Sequence, residues 1–469
     1  MSIPKEILAS LGVPDQLNTP LGRFAFADGL PAPDSVAGLY DALDLMRAVE
    51  AFLVAMPAAS LAAMRAGLRN IGVTSARQIA ITGPRPESAS LYLTPDTDTA
   101  FAHTFLDLNR DGPTVVEAPP NSRCVVDDFW FRHVTDLGLA GPDEGRGGKY
   151  LFLPPDHEGE FPDGYYVFRC PTYTNWAVFR ALDGADTIRQ VRVHPLDQAA
   201  YPPPNEFVDV AGRPHDTVFA SDATFYEQVD TVVQEEPLDS LDPERRGVLA
   251  AVGIVKDDLF APDDRMRAIL GRAAPLAAGM ARALAFRPRA AEAYYLPGSS
   301  WKRLFYGGSH EFLHAGARLL DARAAFHYLA TVITPAMADP PAGTGSVYAY
   351  TAEDGTGEWL DGGRSYVLRL PRRVPAKAFW SVTAYDTQTR SLLVTDQPQP
   401  SVSSLSGTVA ANEDGSTDVC FGPEPSPGGG SNWIQTVPGG HWFAMLRLHD
   451  PTQPWYDQTW RPGEIEPRG

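Results

Sequence analysis

Two histidines and a glutamate in the segment SHEFLH have the spacing of a zinc hydrolase. His310, Glu311 and His314 form the pattern H-E-x-x-H, in which two imidazoles on one face of a helix bind zinc while the glutamate holds the attacking water. Ser309 is a suitable N-cap, and no proline follows before Pro335. We therefore expect a helix over this segment.

A third protein ligand for zinc is missing near this motif. The extended pattern H-E-x-x-H-x-x-G-x-x-H requires a glycine and a second downstream histidine, where the chain has Ala317 and Leu320. The first glutamate after the motif is Glu353, beyond a proline-rich break. We therefore identify no cofactor, and a zinc site on His310 and His314 is the less favoured alternative.

A pair of carboxylates in the segment TPDTDT offers acid–base chemistry. Asp96 and Asp98 are two residues apart, and Thr99 follows as a substrate-binding candidate. In a strand the two carboxylates share a face, and an environment that separates their pKa values makes them a general acid and a general base. In a turn they cap backbone N–H groups instead. The sequence leaves both interpretations open.

A carboxylate, an indole and a guanidinium follow in the segment DDFWFRH. On a strand, Asp128, Trp130 and Arg132 alternate onto one face and suit a planar ligand, with Asp128 catalytic and the other two binding substrate. His133, whose side chain titrates near neutral pH, is the candidate base of this cluster. The alternative is a buried ion pair between Arg132 and Asp128 beside a core tryptophan.

Aromatic and polar residues also gather in the C-terminal part of the chain. Such residues at strand ends often line a pocket for a sugar or another small molecule, although alternation places Trp380 equally well in a sandwich core. The candidate substrate-binding residues here are Trp380, Tyr385, Arg390, Asn432 and Trp433.

A serine or cysteine nucleophile has no local support in the sequence. The pattern G-x-S-x-G does not occur, and no serine or cysteine has a convincing base beside it along the chain. A nucleophilic triad would have to be assembled from residues that are neighbours only in space.

The composition of the 469 residues indicates a small-molecule partner. A net charge of -19 argues against a nucleic-acid or anionic-membrane partner, and a homo-oligomer is compatible with it. Three widely spaced cysteines argue against a disulfide framework and fit a reducing compartment. We find no long apolar run near the N-terminus or of membrane-spanning length, so we expect a cytoplasmic protein, or an exported one if a leader has been removed.

The pattern of apolar residues predicts helical, β, helical and β regions in that order. Helical spacing covers positions 35–71, with Pro57 expected to divide it into two helices. Short apolar runs between turn residues predict strands over positions 78–193 and again from about position 345. We therefore expect an N-terminal helical segment at 1–71, a β-sandwich at 72–200, a mostly helical connection at 201–345 and a second β-sandwich at 346–469.

Several long segments resemble the DUF1254/DUF1214 protein family. They are TPDTDTAF, VVDDFWFRHVTDLGLAGPDEGRGGKYLFLPP, FYEQVDTVVQEEPLDSLDPERRGVLAAVGIVKDDLFAPDDRM, LDARAAFHYLATVITPAM, KAFWSVTAYDTQTRSLLVTDQPQPS and SNWIQTVPGGHWFAMLRLHDP. The resemblance covers nearly the whole chain. It implies two antiparallel jelly-roll sandwiches bridged by helices, the first DUF1254-like and the second DUF1214-like, and it implies no activity because the family's function is unknown.

The chain departs from the family pattern at the candidate sites. Family members usually read Thr-x-Asn-x-Asp-Thr-x-Tyr where this chain has Asp96 and Phe101, so an amide is replaced by a carboxylate and a phenol is lost. They commonly have Trp where this chain has His133, and Tyr where it has His310. These two histidines therefore have no family-wide role.

From these features we expect an enzyme, a hydrolase or lyase, that acts on a polar small molecule or glycan-like substrate through carboxylate acid–base chemistry. The alternatives are a noncatalytic small-molecule-binding, carbohydrate-binding or assembly protein, and a zinc-dependent hydrolase. Convergence of Asp98, Asp128 and Arg132 in one pocket would favour the enzyme, and their separate burial would favour the noncatalytic protein.

Overall fold

A computed structural model of the protein describes residues 4–82, 88, 90–181, 184–338, 340–425 and 430–468. Two sheet-rich regions are separated by helices and preceded by a long helix. A small three-stranded sheet, absent from the prediction, precedes that helix. The N-terminal elements are α1 (Lys5–Leu11), β1 (Gln16–Thr19), β2 (Gly22–Ala27), β3 (Leu30–Pro31) and α2 (Pro33–Asn70).

Helix α2 runs without interruption through Pro57, so the expected division into two helices is wrong. A proline inside a helix removes one backbone hydrogen bond and costs about 3 kcal/mol. Here the surrounding segment AMPAASLAAM is buried on all sides, and its alanines and leucine favour the helix. This burial offsets the cost of the proline.

The first sandwich packs a six-stranded sheet on a four-stranded sheet. The strand orders are β13-β4-β5-β11-β7-β8 and β10-β9-β6-β12. The elements are β4 (Gln78–Ile81), β5 (Ala100–Asp107), α3 (Leu108–Asp111), β6 (Thr114–Ala118), β7 (Arg123–Asp128), β8 (His133–Gly138), β9 (Gly148–Leu153), β10 (Tyr166–Arg169), β11 (Thr174–Ala181), α4 (Ala185–Ile188), β12 (Arg192–Pro195) and β13 (Glu206–Asp209).

The connecting region is mostly helical and includes one short hairpin. The helices pack on α2 and on one another. The elements are α5 (Thr224–Glu235), α6 (Pro243–Ala250), α7 (Asp264–Phe286), β14 (Lys302–Arg303), β15 (Leu313–His314), β16 (Ala317–Arg318), α8 (Leu320–Leu329) and α9 (Pro335–Ala338).

The second sandwich packs a five-stranded sheet on a four-stranded sheet. The strand orders are β14-β17-β23-β19-β20 and β22-β21-β18-β24. The elements are β17 (Ser346–Thr351), β18 (Tyr366–Leu370), β19 (Ala376–Asp386), β20 (Ser401–Ser403), β21 (Thr417–Gly422), β22 (Trp433–Gln435), β23 (Trp442–Pro451), α10 (Gln453–Tyr456) and β24 (Ile465–Pro467).

Both sandwiches are mainly antiparallel. Parallel pairs occur where β10, β13 and β22 are added at sheet edges. The jelly-roll connection pattern stays a prediction. The mixed fold of β-sandwiches bridged by helices is the one that the sequence predicts.

The larger sheet of each sandwich is covered on both faces. On β5, Ala100, Ala102 and Leu106 point into the first sandwich, while the alternate residues face the helices and the second sandwich. On β23, Ala444 and Leu446 point into the second sandwich. Because both faces are covered, the central strands read as nearly continuous apolar runs, and the outer faces of the two larger sheets meet across a cavity.

The H-E-x-x-H segment does not form the expected helix. It begins in a turn and continues into the hairpin of β15 and β16, whose loop residues Ala315 and Gly316 have positive φ angles of 48° and 80°. Two positive φ angles are what a tight type I′ turn requires. His310 and His314 therefore do not share one helix face, and the motif lacks the geometry of a zinc hydrolase.

Two helices reach the length and apolar composition of a membrane span, which corrects the expectation that no segment does. They are α2 and α7, and most of the apolar stretch of α2 and half of that of α7 are buried inside the fold. Core helices meet the same criteria, so length and composition alone are weak indicators. The cytoplasmic location stays a prediction.

Candidate functional site

A cavity of about 790 Å³ lies between the two sandwiches. Its walls are the outer faces of β5, β7 and β11 from the first sandwich and of β17 and β23 from the second. The loop before β5 and the segment that contains α9 complete the enclosure. The space therefore exists only where the two sandwiches meet.

Asp96, in the loop before β5, carries the negative charge at one end of the cavity. The NH2 atom of Arg180 on β11 donates to Oδ2 of Asp96 at 2.6 Å, and both side chains are largely buried. The backbone N–H of Asp98 also donates to Asp96, at 2.7 Å. Burial alone would raise the pKa of Asp96, but the positive charges of Arg180 and Arg447 and the hydrogen bond from the Asp98 N–H lower it to about 2. Asp96 is therefore an ionised carboxylate.

The second sandwich holds the loop that carries Asp96. Arg447 on β23 donates to the carbonyl of Thr94 at 2.7 Å and to the hydroxyl of Tyr385 at 2.6 Å. The hydroxyl of Tyr385 in turn donates to the carbonyl of Pro95 at 2.7 Å. Thr94 has a positive φ of 40°, which is rare for a β-branched residue. These bonds stabilise the unusual backbone and fix the position of the carboxylate.

His449 and Ser346 are paired across β23 and β17 and line the same end of the cavity. Nδ1 of His449 lies 2.8 Å from the Ser346 hydroxyl, and Nε2 lies 4.0 Å from Oδ2 of Asp96. Burial and the nearby Arg180 lower the pKa of His449 well below its ordinary value. The imidazole is therefore neutral, and Nε2 has no hydrogen-bond partner among the described residues.

The charges of the cavity-lining groups nearest to Asp96 do not balance among themselves. Arg180 and Arg447 are positive and Asp96 is negative, whereas His449 is neutral. Burial also raises the pKa of the neighbouring Tyr348, so that its phenol is uncharged. These residues alone have one positive charge in excess, which suits an anionic group beside them. The full lining of the cavity is balanced, because Arg123 pairs with Asp450 and Asp136 adds a third carboxylate.

Aromatic and imidazole side chains line another part of the wall. Trp176 donates from Nε1 to Nδ1 of His103 at 3.2 Å, and Tyr92 lies 3.5 Å from Nε2 of the same ring. Burial lowers the pKa of His103 to about 3, so this imidazole is neutral as well. Tyr92 also binds His215, at 2.6 Å. These groups are hydrogen-bonded to one another and leave the wall without a net charge.

Most of the remaining wall is apolar. Side chains from α2, from the loop before β5 and from both larger sheets contribute to it. The main apolar contributors are Met64, Leu93, Phe101, Val125, Val178 and Met445. A ligand that fills this space buries a largely hydrocarbon or aromatic body.

Asp98 lies beside the cavity but does not line it. Its carboxyl is directed toward Ser403 and Ser381 of the second sandwich. Burial, followed by the negative charge of Asp96, raises its pKa to about 6. The loop is a bend and not a strand, so the turn interpretation of the two aspartates applies, and Thr99 binds Arg180 at 2.8 Å. The environments of the two carboxyls still separate their pKa values, which are about 2 for Asp96 and about 6 for Asp98.

The residues that follow Asp128 do not continue the strand. The predicted alternation of Asp128, Trp130 and Arg132 onto one strand face is therefore wrong. Strand β7 ends at Asp128, and a turn follows in which Phe131 has a φ of 58°. Asp128 accepts from the backbone N–H groups of Trp130 and Arg132, both at 2.9 Å, and pairs with the Arg132 side chain at 2.6 Å. Trp130 is buried and donates to Ser240 at 2.9 Å. The ion pair and the buried tryptophan match the alternative that the sequence left open, except that the Arg132 side chain is 41% exposed.

His133 lies on β8, away from Asp98. Its Nε2 is 3.1 Å from Asp136, and its ring packs edge-on against His310 at 5.6 Å between centroids. Asp98, Asp128 and Arg132 therefore do not converge in one pocket.

The C-terminal candidates have mainly structural contacts. Trp380 lies in the core of the second sandwich, and Asn432 bonds the backbone at Ala410 and Asp418. Trp433 donates to the carbonyl of Gly422 at 3.1 Å. Arg390 is buried and donates to the carbonyl of Tyr328 at 3.2 Å. Of this set, Tyr385 and Arg390 contact the loop of Asp96: the Tyr385 hydroxyl donates to the carbonyl of Pro95, and the Arg390 carbonyl accepts from the Thr94 N–H at 2.8 Å.

The sequence prediction missed several residues of the cavity. They are His103, Arg180, Ser346, Arg447 and His449. For all of these except Ser346, the signal is present in the strands FAHTF, NWAVFRA and WFAMLRLHD, where a charged or imidazole group interrupts an apolar run. A buried polar residue in such a run is informative because it needs a partner.

A metal centre has no support in the part of the chain that the structure describes. No group of three or more His, Cys, Asp or Glu side chains there is arranged to bind a metal ion. The cysteines Cys124, Cys170 and Cys420 are buried and unpaired.

Comparisons with known proteins identify two domains. Residues 78–201 match the family model described as protein of unknown function (DUF1254), and residues 345–453 match protein of unknown function (DUF1214). No curated protein matches the chain.

Two solved structures match most of this chain. The crystal structure of the VPA0106 protein from Vibrio parahaemolyticus has 18% identity and a TM-score of 0.54, and the match covers 91% of this chain and 100% of that one. A structure of an uncharacterised protein from Burkholderia cenocepacia has 14% identity and a TM-score of 0.42, covering 91% of this chain and 94% of that one. The first likeness supports the two-sandwich fold.

Proposed function

The chain is a DUF1254/DUF1214 domain-containing protein, and on that premise we propose that it binds a small molecule with a largely apolar body and one anionic group in the cavity between its two domains. The observation that carries this proposal is the pair of largely buried guanidinium groups, Arg180 and Arg447, beside the single carboxylate of Asp96 at one end of a mainly apolar space. The apolar wall favours this ligand over the glycan-like substrate expected from the sequence.

The size of the cavity supports this proposal. Pockets for small molecules span roughly 300–1,000 Å³ and combine an apolar lining with a few polar groups. The cavity of about 790 Å³ falls within this range. An anion placed near Arg447 and Arg180 would offset the local positive charge of these two groups, and its hydrogen bonds would be charge-assisted.

Calorimetric titration with decanoate and decanol tests the proposal. The two probes share an apolar chain, so a difference in affinity reports the charge of the head group. A charge-assisted hydrogen bond contributes about 1.5–3 kcal/mol, so we expect decanoate to bind at least about tenfold more tightly than decanol. Equal affinities, or no binding of either probe, would refute the proposal.

A second candidate function is hydrolysis of an ester in the same cavity. It is favoured by the contact of Ser346 with His449 and by the position of Asp96 beyond the imidazole. With the imidazole proton on Nε2, Nδ1 accepts the proton of the serine hydroxyl as Oγ attacks the ester carbonyl. The proton then passes to the leaving alcohol, and water hydrolyses the acyl-serine. Because Asp96 lies 4.0 Å from Nε2 and pairs with Arg180, the candidate is a serine–histidine dyad with a nearby carboxylate, assembled from residues that are distant in the chain.

Hydrolysis of p-nitrophenyl octanoate tests this candidate. We expect Ser346→Ala and His449→Gln each to lower kcat by about a hundredfold or more, since each removes a step of the same chemistry. Ser60→Ala is a matched control, because Ser60 is buried in α2 and does not line the cavity. Equal rates in all four proteins would eliminate the hydrolase.

A further inference from the structure

A second and smaller cavity, of about 90 Å³, lies on the other side of the segment that precedes α9. Helices α2, α6 and α8, the turn after β7 and the H-E-x-x-H turn form its walls. Four arginines, three histidines and one glutamate are among its lining residues. These charged and imidazole residues are Arg132, Arg245, Arg318, Arg323, His133, His310, His327 and Glu311.

Arg323 on α8 is the unusual member of this set. Arg323 is 8% exposed. Its guanidinium makes no hydrogen bond or ion pair with any residue that the structure describes. Burial and the positive charges of Arg245 and Arg318 lower its pKa to about 10. A buried guanidinium is nearly always paired, because an unpaired buried charge is strongly destabilising.

Two further polar atoms in this cavity are buried and unsatisfied. NH2 of Arg132 and Nδ1 of His327 have no hydrogen-bond partner within the described ranges. Arg132 uses its Nε to bind Asp128, which leaves NH2 available. Unsatisfied buried donors are rare in folded proteins and indicate a missing partner.

The acidic groups near the cavity do not offset these cations. Asp242 pairs with Arg245 at 3.1 Å, and Glu311 is exposed. Glu50 raises the pKa of Arg323, but this effect is smaller than the lowering by burial and by the charges of Arg245 and Arg318. Arg318 donates to a backbone carbonyl and not to a carboxylate. Two arginines, Arg318 and Arg323, therefore lack an anionic partner among the described residues.

We propose that this cavity is a binding site for a small oxyanion, such as inorganic phosphate, held by Arg323 with Arg132 and Arg318. Phosphate supplies several acceptor oxygens, and arginine matches their geometry with two parallel donors. The volume of about 90 Å³ is far below that of a pocket for a larger metabolite. The site is separate from the larger cavity and does not depend on its proposed ligand.

Thermal unfolding with sodium phosphate, compared with sodium chloride at equal ionic strength, tests the site. Because a ligand that binds only the folded state stabilises it, we expect a saturable rise in Tm of about 2 °C or more with phosphate. The rise should be absent in Arg323→Gln and reduced in Arg318→Gln. Arg272→Gln is the matched control, since this exposed arginine on α7 does not line the cavity.

Line broadening in the phosphorus NMR spectrum of inorganic phosphate measures binding directly. If Arg323→Gln fails to fold, the comparison is made between the wild type and Arg318→Gln. We expect at least about a fivefold loss of affinity in Arg318→Gln, the effect of one lost charge-assisted contact. Glycerol phosphate distinguishes free phosphate from a phosphate ester, and we expect the ester to be excluded. No phosphate binding, or the same binding in wild type and both variants, would overturn the proposal.

Discussion

The imidazole of His449 lies 4.0 Å from the carboxylate of Asp96, although the two residues belong to different sandwiches. Asp96 is held by Arg180 from the first sandwich, and its loop is held by Arg447 and Tyr385 from the second. The charged end of the cavity therefore forms only when both domains are folded and in contact.

Replacement of Asp96 by asparagine is expected to lower the free energy of unfolding by about 3 kcal/mol, because Arg180 would remain buried without its counter-charge. Urea denaturation measures this loss. Asp111→Asn is the control, since its partner Arg110 is about half exposed and an exposed pair contributes under about 1 kcal/mol. A similar small loss in both variants would show that the Asp96 pair is not important for stability.

Asp98 should make stability depend on pH in the mildly acidic range. Its pKa in the folded protein is raised from 3.8 to about 6, so its contribution is complete below the lower value and is lost as the pH rises through the higher one. Between about pH 4 and pH 8 the wild type should lose on the order of 2 kcal/mol relative to Asp98→Asn. Denaturant titrations at the two pH values measure the difference, and parallel behaviour of the two proteins would contradict it.

Zinc should not bind stoichiometrically at the H-E-x-x-H segment. His314 is exposed on a hairpin strand, while His310 faces the small cavity. Elemental analysis of the purified protein is expected to give less than about a tenth of an equivalent of zinc, unchanged in His310→Ala and His314→Ala. One equivalent that disappears in either variant would restore the zinc hydrolase.

The order of regions was predictable because it depends on local patterns. Alternation of apolar residues defines strands such as β5 and β23, and helical spacing defines α2. Errors arose where tertiary contacts override a local rule. Pro57 is tolerated inside α2 because its surroundings are buried, and the loop residues Ala315 and Gly316 form a hairpin where the histidine spacing indicated a helix.

The candidate site was predicted only in part. Asp96, Thr99 and Tyr385 were identified from their types, and they do lie in or against one end of the larger cavity. Their partners Arg180 and His449 come from distant strands, and spacing along the chain carries no information on such contacts. Asp128 and Arg132 were also predicted as site residues from their residue types, yet they form a local turn.

Closing the larger cavity tests the central claim most directly. Val178 on β11 and Ala336 on α9 both line it, and a tryptophan at either position would occupy space that the ligand needs. Val13→Trp is the control, because Val13 is exposed and does not line the cavity. We expect the Kd for decanoate, measured by calorimetry, to rise at least about tenfold in Val178→Trp and Ala336→Trp and to stay unchanged in Val13→Trp. Unchanged decanoate affinity in folded Val178→Trp and Ala336→Trp would contradict the account.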